Sequence, residues 1–403
     1  MADWRVSLRA VVYLARHLVS RSLRHPAWAW RAGLRVRALA RAHGYLGVRT
    51  FLLDDYLPRH YRAKTKIHVR EPSSSFYRRF AGLVSPPSAR AAHGHRLPQG
   101  DVREPPSILV IRRGVLGDVL MATPIVRKLY QARDGFCRID VATEHGDVFR
   151  NNPYVRRTML MRDLADMVRP VDLIIDLDGV YERNPALHPT HAYAFHVFGR
   201  IEPDLGIDLF PDAADIGRIE RVVQSIGRPY LVVHKAARRS PQRNLPMELW
   251  DKVITGLLER TNMSIVQIGT ADDQVLAGTS RLLDHRGHYS VQELHQLIEW
   301  SAFFVGGDSG PAHIASASRA PMAVFYTSAH HEYRKPLRPR GTFVPITPDI
   351  ECYGCQAVNP LPGAHRHCSR HDYACVWRFD ADAVLQQILR VLANEAPGNR
   401  APA

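Results

Sequence analysis

Short apolar runs recur through the middle of the chain, and glycine, proline or charged residues bound most of them. Runs of this length are typical of strands that are buried on both faces of a parallel sheet. In the first half of the chain they predict strands at Ile108–Ile111, Arg138–Ala142 and Asp172–Leu177.

From residue 229 onward, strand patterns alternate with segments whose apolar positions repeat at helical spacing. The predicted strands are Tyr230–His234, Ser264–Ile268, Ala302–Val305 and Pro321–Phe325. The predicted helices are Met247–Glu259, Val291–Trp300, Ile314–Ser318 and Asp380–Asn394. Alternation of strands and helices predicts an α/β fold with doubly wound parallel sheets.

These patterns divide the chain into four segments. Residues 1–72 are predicted to be a basic amphipathic helical extension, and residues 73–107, rich in Ser, Pro, Gly, Ala and Arg, a linker. An N-terminal Rossmann-like domain is expected at 108–228. A C-terminal Rossmann-like domain is expected at 229–403, with a cysteine cluster at 352–375.

The extension is amphipathic as well as basic. On a helical wheel, residues 4–24 place Trp, Leu and Val side chains on one side and five arginines on the other. Such a helix suits a membrane surface that carries anionic lipids, and residues 1–70 are the expected contact. The alternatives are a helix packed on the rest of the chain, a nucleic-acid contact, and an organelle transit peptide.

The net charge belongs to this extension. The chain has 403 residues and a formal charge of +15, of which residues 1–107 carry +14, with 20 Lys+Arg and 6 Asp+Glu. The remaining residues are therefore nearly neutral, which weighs against a nucleic-acid partner. No apolar run reaches the roughly 18–20 residues that a spanning helix needs, so we expect a cytoplasmic protein, neither secreted nor integral, whose basic extension would hold it at a membrane surface.

A first motif, Arg112-Arg-Gly-Val-Leu-Gly-Asp-Val-Leu-Met-Ala-Thr-Pro124, follows the first strand. Gly114 and Gly117 are predicted to form a tight turn, and Asp118 to begin a helix. Asp118 can simply cap that helix. It can also act as a general base at the carboxyl end of a strand, facing an interdomain cleft.

A second motif, Gly306-Gly-Asp-Ser-Gly-Pro-Ala-His313, lies between a strand and a helix. Its glycines would let backbone approach a ligand, and the start of the helix would favour an anion such as a nucleotide diphosphate. Asp308, Ser309 and His313 can add side-chain hydrogen bonds. The alternative is an ordinary turn, capped by Asp308 or Ser309, with a packed histidine.

Together, the two motifs resemble glycosyltransferase family 9, the heptosyltransferases, and the similarity extends over 108–395. The resemblance implies a GT-B fold, in which two Rossmann-like domains face a cleft and bind the acceptor and the nucleotide sugar respectively. It further implies an inverting enzyme, without a catalytic cofactor, that transfers heptose from ADP-heptose to a lipopolysaccharide-core or related glycolipid acceptor.

The resemblance also assigns roles to individual residues. Asp118 would be the general base. The donor contacts would be Asp308, Ser309, Gly310 and His313. Arg243, in the run Gln242–Pro246, falls where the family has a basic residue that stabilises the leaving diphosphate. A solvated loop charge is the alternative for Arg243.

The chain departs from the family at two places in its C-terminal half. Leu245 stands where the family has an aromatic residue, and Phe325-Tyr-Thr-Ser-Ala329 replaces a Phe-Gly-Pro-Thr-like turn. That turn lies near the donor in the family, so the donor sugar stays open.

Four of the five cysteines lie within one short segment, with the spacing Cys352-x2-Cys355-x12-Cys368-x6-Cys375. Four thiolates that include a C-x-x-C pair can hold a structural zinc ion. Autotransporter-modifying relatives carry a similar cluster that binds iron. Two disulfides and free thiols are the alternatives, and Cys137 is expected to be a small buried residue.

Two other functions remain open. One is a protein heptosyltransferase that modifies autotransporters, which the helical extension disfavours because those relatives carry a β-type N-terminal domain. The other is a family member that binds nucleotide sugar without transfer, which the intact Asp118 disfavours.

Overall fold

A computed structural model describes residues 105–395, apart from 167–170, 182–186, 236–240, 338–340, 356–367, 369 and 371. The extension 1–72 and most of the linker 73–107 lie outside the described residues, and the predictions made for them stay predictions.

The N-terminal lobe, the described part of 105–228, contains a four-stranded parallel sheet in the order β3-β2-β1-β4. Its strands are β1 (Ser107–Ile111), β2 (Arg138–Ala142), β3 (Arg157–Met159) and β4 (Leu173–Asp176). Ile108 of β1 lies opposite Ile139 on one side and Leu173 on the other.

The C-terminal lobe, the described part of 229–395, contains a six-stranded parallel sheet in the order β10-β9-β8-β5-β6-β7. Its strands are β5 (Tyr230–His234), β6 (Ser264–Ile268), β7 (Leu282–Asp284), β8 (Phe303–Gly307), β9 (Met322–Phe325) and β10 (Phe343–Ile346).

Helices connect the strands and cover the sheets. The helices of the N-terminal lobe are α1 (Leu116–Leu120), α2 (Thr123–Gln131), α3 (Pro189–Phe198) and α4 (Ala213–Ile226). Those of the C-terminal lobe are α5 (Met247–Arg260), α6 (Val291–Glu299), α7 (Gly310–Ser316), α8 (Ala374–Trp377) and α9 (Ala381–Asn394). Among the described residues, none of the helices combines the length and the apolar character needed to cross a bilayer.

The predicted α/β fold with parallel sheets is confirmed, and every strand predicted from the sequence is present within two residues. Among the described strands, three were not predicted: β3, β7 and β10, which are three of the four edge strands of the two sheets, the fourth being β4. Their residues are mostly half-buried or exposed, because an edge strand has fewer neighbours to cover it. They therefore lack the apolar run that marks a central strand.

The predicted boundaries around the second motif were wrong by several residues. The strand expected to end at Val305 continues through Gly306 and Gly307, and the helix expected to begin at Ile314 begins at Gly310. Gly306 and Gly307 pair with Val324 and Phe325 of β9. Backbone pairing requires no side chain, so apolar pattern alone does not reveal that these glycines continue the strand.

Two apolar cores organise the described residues. One runs through both lobes, from Ile108 and Val110 of β1 to Ile314 of α7 and Tyr326. The other lies on the opposite side of the second sheet, around the fully buried Trp250. Because the first core is shared, helix α1 packs on α7 and α4 packs on α6, which brings the loops after β1 and β8 together.

Candidate active site

The two sequence motifs are in direct contact. A Cβ atom added at Gly117 would lie 3.0 Å from Cδ2 of His313, and one added at Gly310 would lie 2.9 Å from Cδ2 of Leu116. The loop after β1 and the helix after β8 therefore approach each other at positions without side chains. This contact places Asp118, in the first motif, beside the second motif.

Close approach, rather than a left-handed turn, accounts for the motif glycines. Gly114 and Gly117 are not among the glycines with positive φ. A Cβ at Gly114 would lie only 2.2 Å from Oδ2 of Asp118, because that side chain folds back over the loop. Gly310 faces Leu116 of the N-terminal lobe, where an added Cβ atom would be too close.

Asp118 both caps its helix and faces other side chains. Its Oδ2 atom accepts a hydrogen bond from the backbone N–H of Val115 at 3.1 Å and lies 3.0 Å from Nη2 of Arg112. Its Oδ1 atom accepts a hydrogen bond from the hydroxyl of Tyr181 at 3.1 Å. The two interpretations of Asp118, as a helix cap and as a general base, are therefore compatible. Oδ2 serves the cap, and Oδ1 points towards Tyr181.

Arg112 connects two carboxylates in the N-terminal lobe and was not singled out from the sequence. Its Nη1 atom lies 3.0 Å from Oδ1 of Asp178, just after β4, while Nη2 pairs with Asp118. The guanidinium also lies over the rings of Tyr181 and Tyr193, at 5.4 and 5.5 Å. Because the Arg112 side chain is only 4% exposed, this network holds the Asp118 side chain in one orientation. The only signal in the sequence was the position of Arg112 at the carboxyl end of β1.

A second arginine reaches this network from the C-terminal lobe. The guanidinium of Arg334, in the segment after β9, lies 5.0 Å from the ring centre of Tyr181. Burial acts to lower the pKa of Arg334, but Tyr181 and the charges of Asp308 and Asp118 raise it, and the net pKa is above its ordinary value. The sequence offered no signal for Arg334, which belongs to no motif.

On the C-terminal side, Asp308 pairs with Arg243. Nη1 of Arg243 lies 3.3 Å from Oδ2 of Asp308, whose side chain is 6% exposed. Arg243 ends a short helical turn, Pro241–Arg243, and its side chain is 25% exposed. The two residues named from separate sequence segments are thus brought together, and Arg243 is not a solvated loop charge.

Ser309 does not cap the helix that it precedes. Its hydroxyl lies 3.0 Å from Nδ1 of His234, at the end of β5, and 3.0 Å from the carbonyl oxygen of Gly307. Burial lowers the pKa of His234 to about 4, so this imidazole is neutral at pH 7. The capped-turn alternative therefore fails for Ser309, and the missed residue His234 orients its hydroxyl.

His313 is buried between the two lobes. Burial is the main cause that lowers its pKa, while Asp308 and Asp118 raise it and Arg334 and Arg243 lower it. Four charged side chains from both lobes therefore surround one neutral imidazole. His313 is a packed histidine, as one reading of the motif proposed, and it lies at the centre of the candidate site.

The residues that depart from the family pattern are buried. Leu245 is 3% exposed and belongs to the core around Trp250. Tyr326, Thr327 and Ser328 are also buried, and the Thr327 hydroxyl donates a hydrogen bond to the carbonyl of Gln242, next to Arg243.

The four clustered cysteines come near one another without forming a ligand set. None is in a disulfide, which removes that alternative. Burial and, after it, the neighbouring Cys355, Cys352 and Cys368 together raise the pKa of Cys375 to about 12. Within the described part of the chain, no group of three or more side chains is arranged to hold a metal ion. One thiol can shift the pKa of another from beyond the distance at which both could bind one metal ion. The four sulfur atoms are therefore close to one another without the arrangement of a metal site.

Comparison with known proteins finds a family match over part of the chain. Residues 185–364 match the family model described as glycosyltransferase family 9 (heptosyltransferase), which is somewhat less than half of the chain. The match contains Arg243 and Asp308 and leaves Asp118 outside. No curated protein matches the chain at a significant level.

Solved structures share the fold at low sequence identity. A family 9 glycosyl transferase from Veillonella parvula is 14% identical, with a TM-score of 0.57, over 75% of this chain and 100% of its own. Escherichia coli ADP-heptose lipopolysaccharide heptosyltransferase II is 16% identical, with a TM-score of 0.56, over 72% and 99%.

The iron-containing dodecameric glycosyltransferase TibC from enterotoxigenic Escherichia coli is 17% identical, with a TM-score of 0.55, over 72% of this chain and 77% of its own. These likenesses confirm the GT-B fold that the sequence resemblance implied.

Proposed function

We propose that the chain, whose residues 185–364 match the model of glycosyltransferase family 9, is a glycosyltransferase that transfers a heptose from ADP-heptose to a glycolipid of the lipopolysaccharide-core type, with inversion. The observation that carries this proposal is the contact of Gly117 with His313, a buried imidazole whose pKa is influenced by Asp118 of the first motif and by the paired Asp308 and Arg243. One structural neighbour, TibC, was crystallised with ADP-D-β-D-heptose, which supports this choice of donor.

Asp118 is proposed as the general base. Its Oδ2 atom is engaged by Arg112 and by the backbone of Val115, so Oδ1 is the oxygen that would take the proton. Tyr181 holds Oδ1 through one lone pair and leaves the other for the acceptor hydroxyl. The acceptor oxygen would then attack the anomeric carbon from the side opposite the diphosphate, and a single displacement inverts that carbon.

The donor is proposed to bind at the second motif. Arg243 would stabilise the negative charge on the leaving diphosphate, and Asp308 would hold its guanidinium in place. The Ser309 hydroxyl, which donates to the carbonyl of Gly307 and lies beside His234, would accept a hydrogen bond from a hydroxyl of the donor. Gly310 and His313 would form the floor of the site, where α7 meets α1.

The acceptor and the location of the enzyme are also part of the proposal. A glycolipid acceptor would be reached at the cytoplasmic face of the inner membrane, with residues 1–70 on the anionic surface. A protein acceptor, as in autotransporter modification, would instead be detected as heptose on polypeptide in the same transfer assay.

A structural zinc or iron ion at Cys352, Cys355, Cys368 and Cys375 is proposed separately from catalysis. Two of these thiols are buried, and all four influence one another. The ion would stabilise the segment that carries the cysteines, and no step of the transfer involves it.

The test compares Asp118→Asn with the wild-type protein, using ADP-heptose and a lipopolysaccharide-core acceptor. We expect transfer to fall by at least about 1,000-fold, because the base is lost, while the affinity for ADP stays within about twofold. Asp349→Asn, at an exposed carboxylate, is the control and should retain full activity. Full transfer by Asp118→Asn, or no binding of ADP-heptose by the wild-type protein, would refute the proposal.

A further inference from the structure

Arg334 links the two halves of the candidate site, yet neither motif contains it. Its backbone N–H donates to the carbonyl of His331 at 2.9 Å, and its own carbonyl accepts from the Tyr326 hydroxyl at 3.4 Å. These bonds fix the backbone of the C-terminal segment that carries it. Its guanidinium then lies over Tyr181 of the N-terminal lobe, 5.0 Å from the ring centre.

Arg334 and Arg243 act on the same neighbourhood. Their charges both lower the pKa of the buried His313, and both also act on the hydroxyl of Tyr326. Arg334 is in addition influenced by Asp308 and Asp118, the acidic residues of the two motifs. Arg334 is therefore near both acidic residues, and its guanidinium lies over Tyr181, whose hydroxyl donates to the proposed base Asp118.

The charges at the proposed donor site indicate that a second cation would be needed to bind a diphosphate. Arg243 is paired with Asp308 at 3.3 Å, so Asp308 offsets part of the positive charge that Arg243 offers to a diphosphate. The diphosphate of a nucleotide sugar carries two negative charges and gains a third when the sugar leaves. An arginine guanidinium suits this task, because it stays charged and presents several N–H donors in one plane.

We propose that Arg334 is a second donor-binding cation, which binds the phosphate that carries the sugar and stabilises it as the sugar leaves. This inference rests on the proposed function. In the step concerned, the acceptor oxygen forms a bond to the anomeric carbon and loses its proton to Asp118. The bond from that carbon to the diphosphate oxygen breaks, and its electron pair stays on that oxygen. The guanidinium of Arg334 stabilises the negative charge that forms there.

The competing role for Arg334 is structural. Its contact with Tyr181 joins the lobes, and Tyr181 in turn donates to Asp118 at 3.1 Å. A structural contact would affect all ligands alike. A phosphate contact would affect only ligands that carry the second phosphate, so the two roles predict different results with ADP and AMP.

The experiment measures the affinities of ADP and AMP for the full-length wild-type protein, Arg334→Gln and Arg334→Lys by calorimetry. We expect Arg334→Gln to weaken ADP binding about tenfold and AMP binding less than twofold, with Arg334→Lys between the wild-type protein and Arg334→Gln. Lys335→Gln is the matched control, because this neighbouring cation pairs with Glu332, and it should change neither affinity. Transfer at saturating ADP-heptose should fall about 100-fold in Arg334→Gln.

Equal ADP affinity in Arg334→Gln and the wild-type protein would overturn the inference. Equal losses for ADP and AMP would also overturn it and would favour the structural contact. Melting temperatures of the variants separate a loss of folding from a loss of binding, and a folded Arg334→Lys keeps the comparison possible if Arg334→Gln does not fold. Absence of ADP binding in the wild-type protein would instead refute the proposed function, and the inference with it.

Discussion

Gly117 and His313 lie against each other, although almost two hundred residues separate them in the chain. A Cβ atom at Gly117 would come within 3.0 Å of Cδ2 of the buried imidazole. Each residue belongs to one of the two motifs, so this contact joins the proposed base to the proposed donor site. Glycine is required here because the space is already occupied.

Gly117→Ala should therefore disturb the site. We expect the added methyl group to displace His313, to lower the free energy of unfolding by about 1–3 kcal/mol and to reduce transfer. Chemical denaturation and initial rates of transfer measure the two effects. Gly217→Ala is the control, because a Cβ at this position in α4 meets only the end of Arg221 at 3.9 Å. It should raise the free energy of unfolding by about 0.5–1 kcal/mol, and equal behaviour of the two variants would contradict the packing argument.

Replacement of Arg112 should lower the free energy of unfolding more than replacement of the neighbouring Arg113. Arg112 is 4% exposed and pairs with both Asp118 and Asp178, so Arg112→Met leaves two carboxylates without this partner. We expect a loss of about 3 kcal/mol in the free energy of unfolding and a severe loss of transfer.

Arg113→Met is the matched control for Arg112→Met. Arg113 also pairs with Asp178, and it lies 3.9 Å from Asp176, but its side chain is 25% exposed. Arg113→Met should lower the free energy of unfolding by about 1 kcal/mol or less and should retain most of the transfer activity. A larger effect at Arg113 than at Arg112 would show that the pairing with Asp118 is unimportant.

Acid should destabilise the protein through its buried histidines. Burial lowers the pKa of His188 to about 3, and its Nδ1 atom accepts from the N–H of Thr190 while Nε2 lies 2.8 Å from the carbonyl of Lys335. The unfolded chain takes up the proton near pH 6.5 and the folded chain does not, so stability is lost as pH falls from about 6.5 towards 3. The slope is at most about 1.4 kcal/mol for each pH unit and each histidine.

His188→Gln removes this contribution and should flatten the dependence of the free energy of unfolding on pH between 6.5 and 4.5. Denaturant unfolding at several pH values, compared with the wild-type protein, measures the difference. The other buried histidines, among them His234 with a pKa of about 4, keep their share of the slope. An unchanged slope in His188→Gln would mean that His188 is not neutral in the folded protein.

Metal analysis should decide the role of the cysteine cluster. Burial holds the pKa of Cys375 at about 12, so without a metal ion this thiol is protonated at neutral pH. Binding of zinc or iron would release protons, and we expect about one equivalent of metal for each purified chain. Cys355→Ser should lose the metal, while Cys137→Ser, at the buried cysteine outside the cluster, should keep it. A metal-free wild-type protein would rule out the ion.

Membrane binding should depend on the arginines of the extension. Co-sedimentation with vesicles that contain anionic lipid is expected for the full chain, and its affinity should weaken by about 1,000-fold or more when five arginines become glutamine, at roughly 1 kcal/mol for each charge. The substituted residues are Arg5, Arg9, Arg16, Arg21 and Arg24. The control replaces five exposed arginines elsewhere, namely Arg200, Arg221, Arg228, Arg260 and Arg319. Equal binding by both variants would contradict the membrane role of the extension.

The central strands could be predicted because each is buried on both faces and must therefore be apolar along its length. Tyr230–His234 and Ser264–Ile268 have the same bounds in the sequence prediction and in the structure. The edge strand Leu282–Asp284 could not be predicted, since it is short and only partly covered. A local apolar pattern indicates buried residues, and residues at the edge of a sheet are less buried.

The site divides in the same way. Asp118, Arg243, Asp308 and Ser309 could be named from the sequence because motif glycines and a family resemblance mark them. Arg112, Tyr181, His234 and Arg334 could not, because each acts through a partner that is distant in sequence and carries no local signature.

The sequence by itself determined the alternation of strands and helices, the two motif loops, and the separation of a basic extension from a nearly neutral remainder. Only the tertiary structure decided that Gly117 packs on His313, that Ser309 turns to His234 rather than to its helix, and that Arg334 reaches across to Tyr181. The physical reason is that burial and backbone conformation act on neighbouring residues and leave a pattern. Contacts between lobes are set by the packing of whole helices and sheets, which no single segment records.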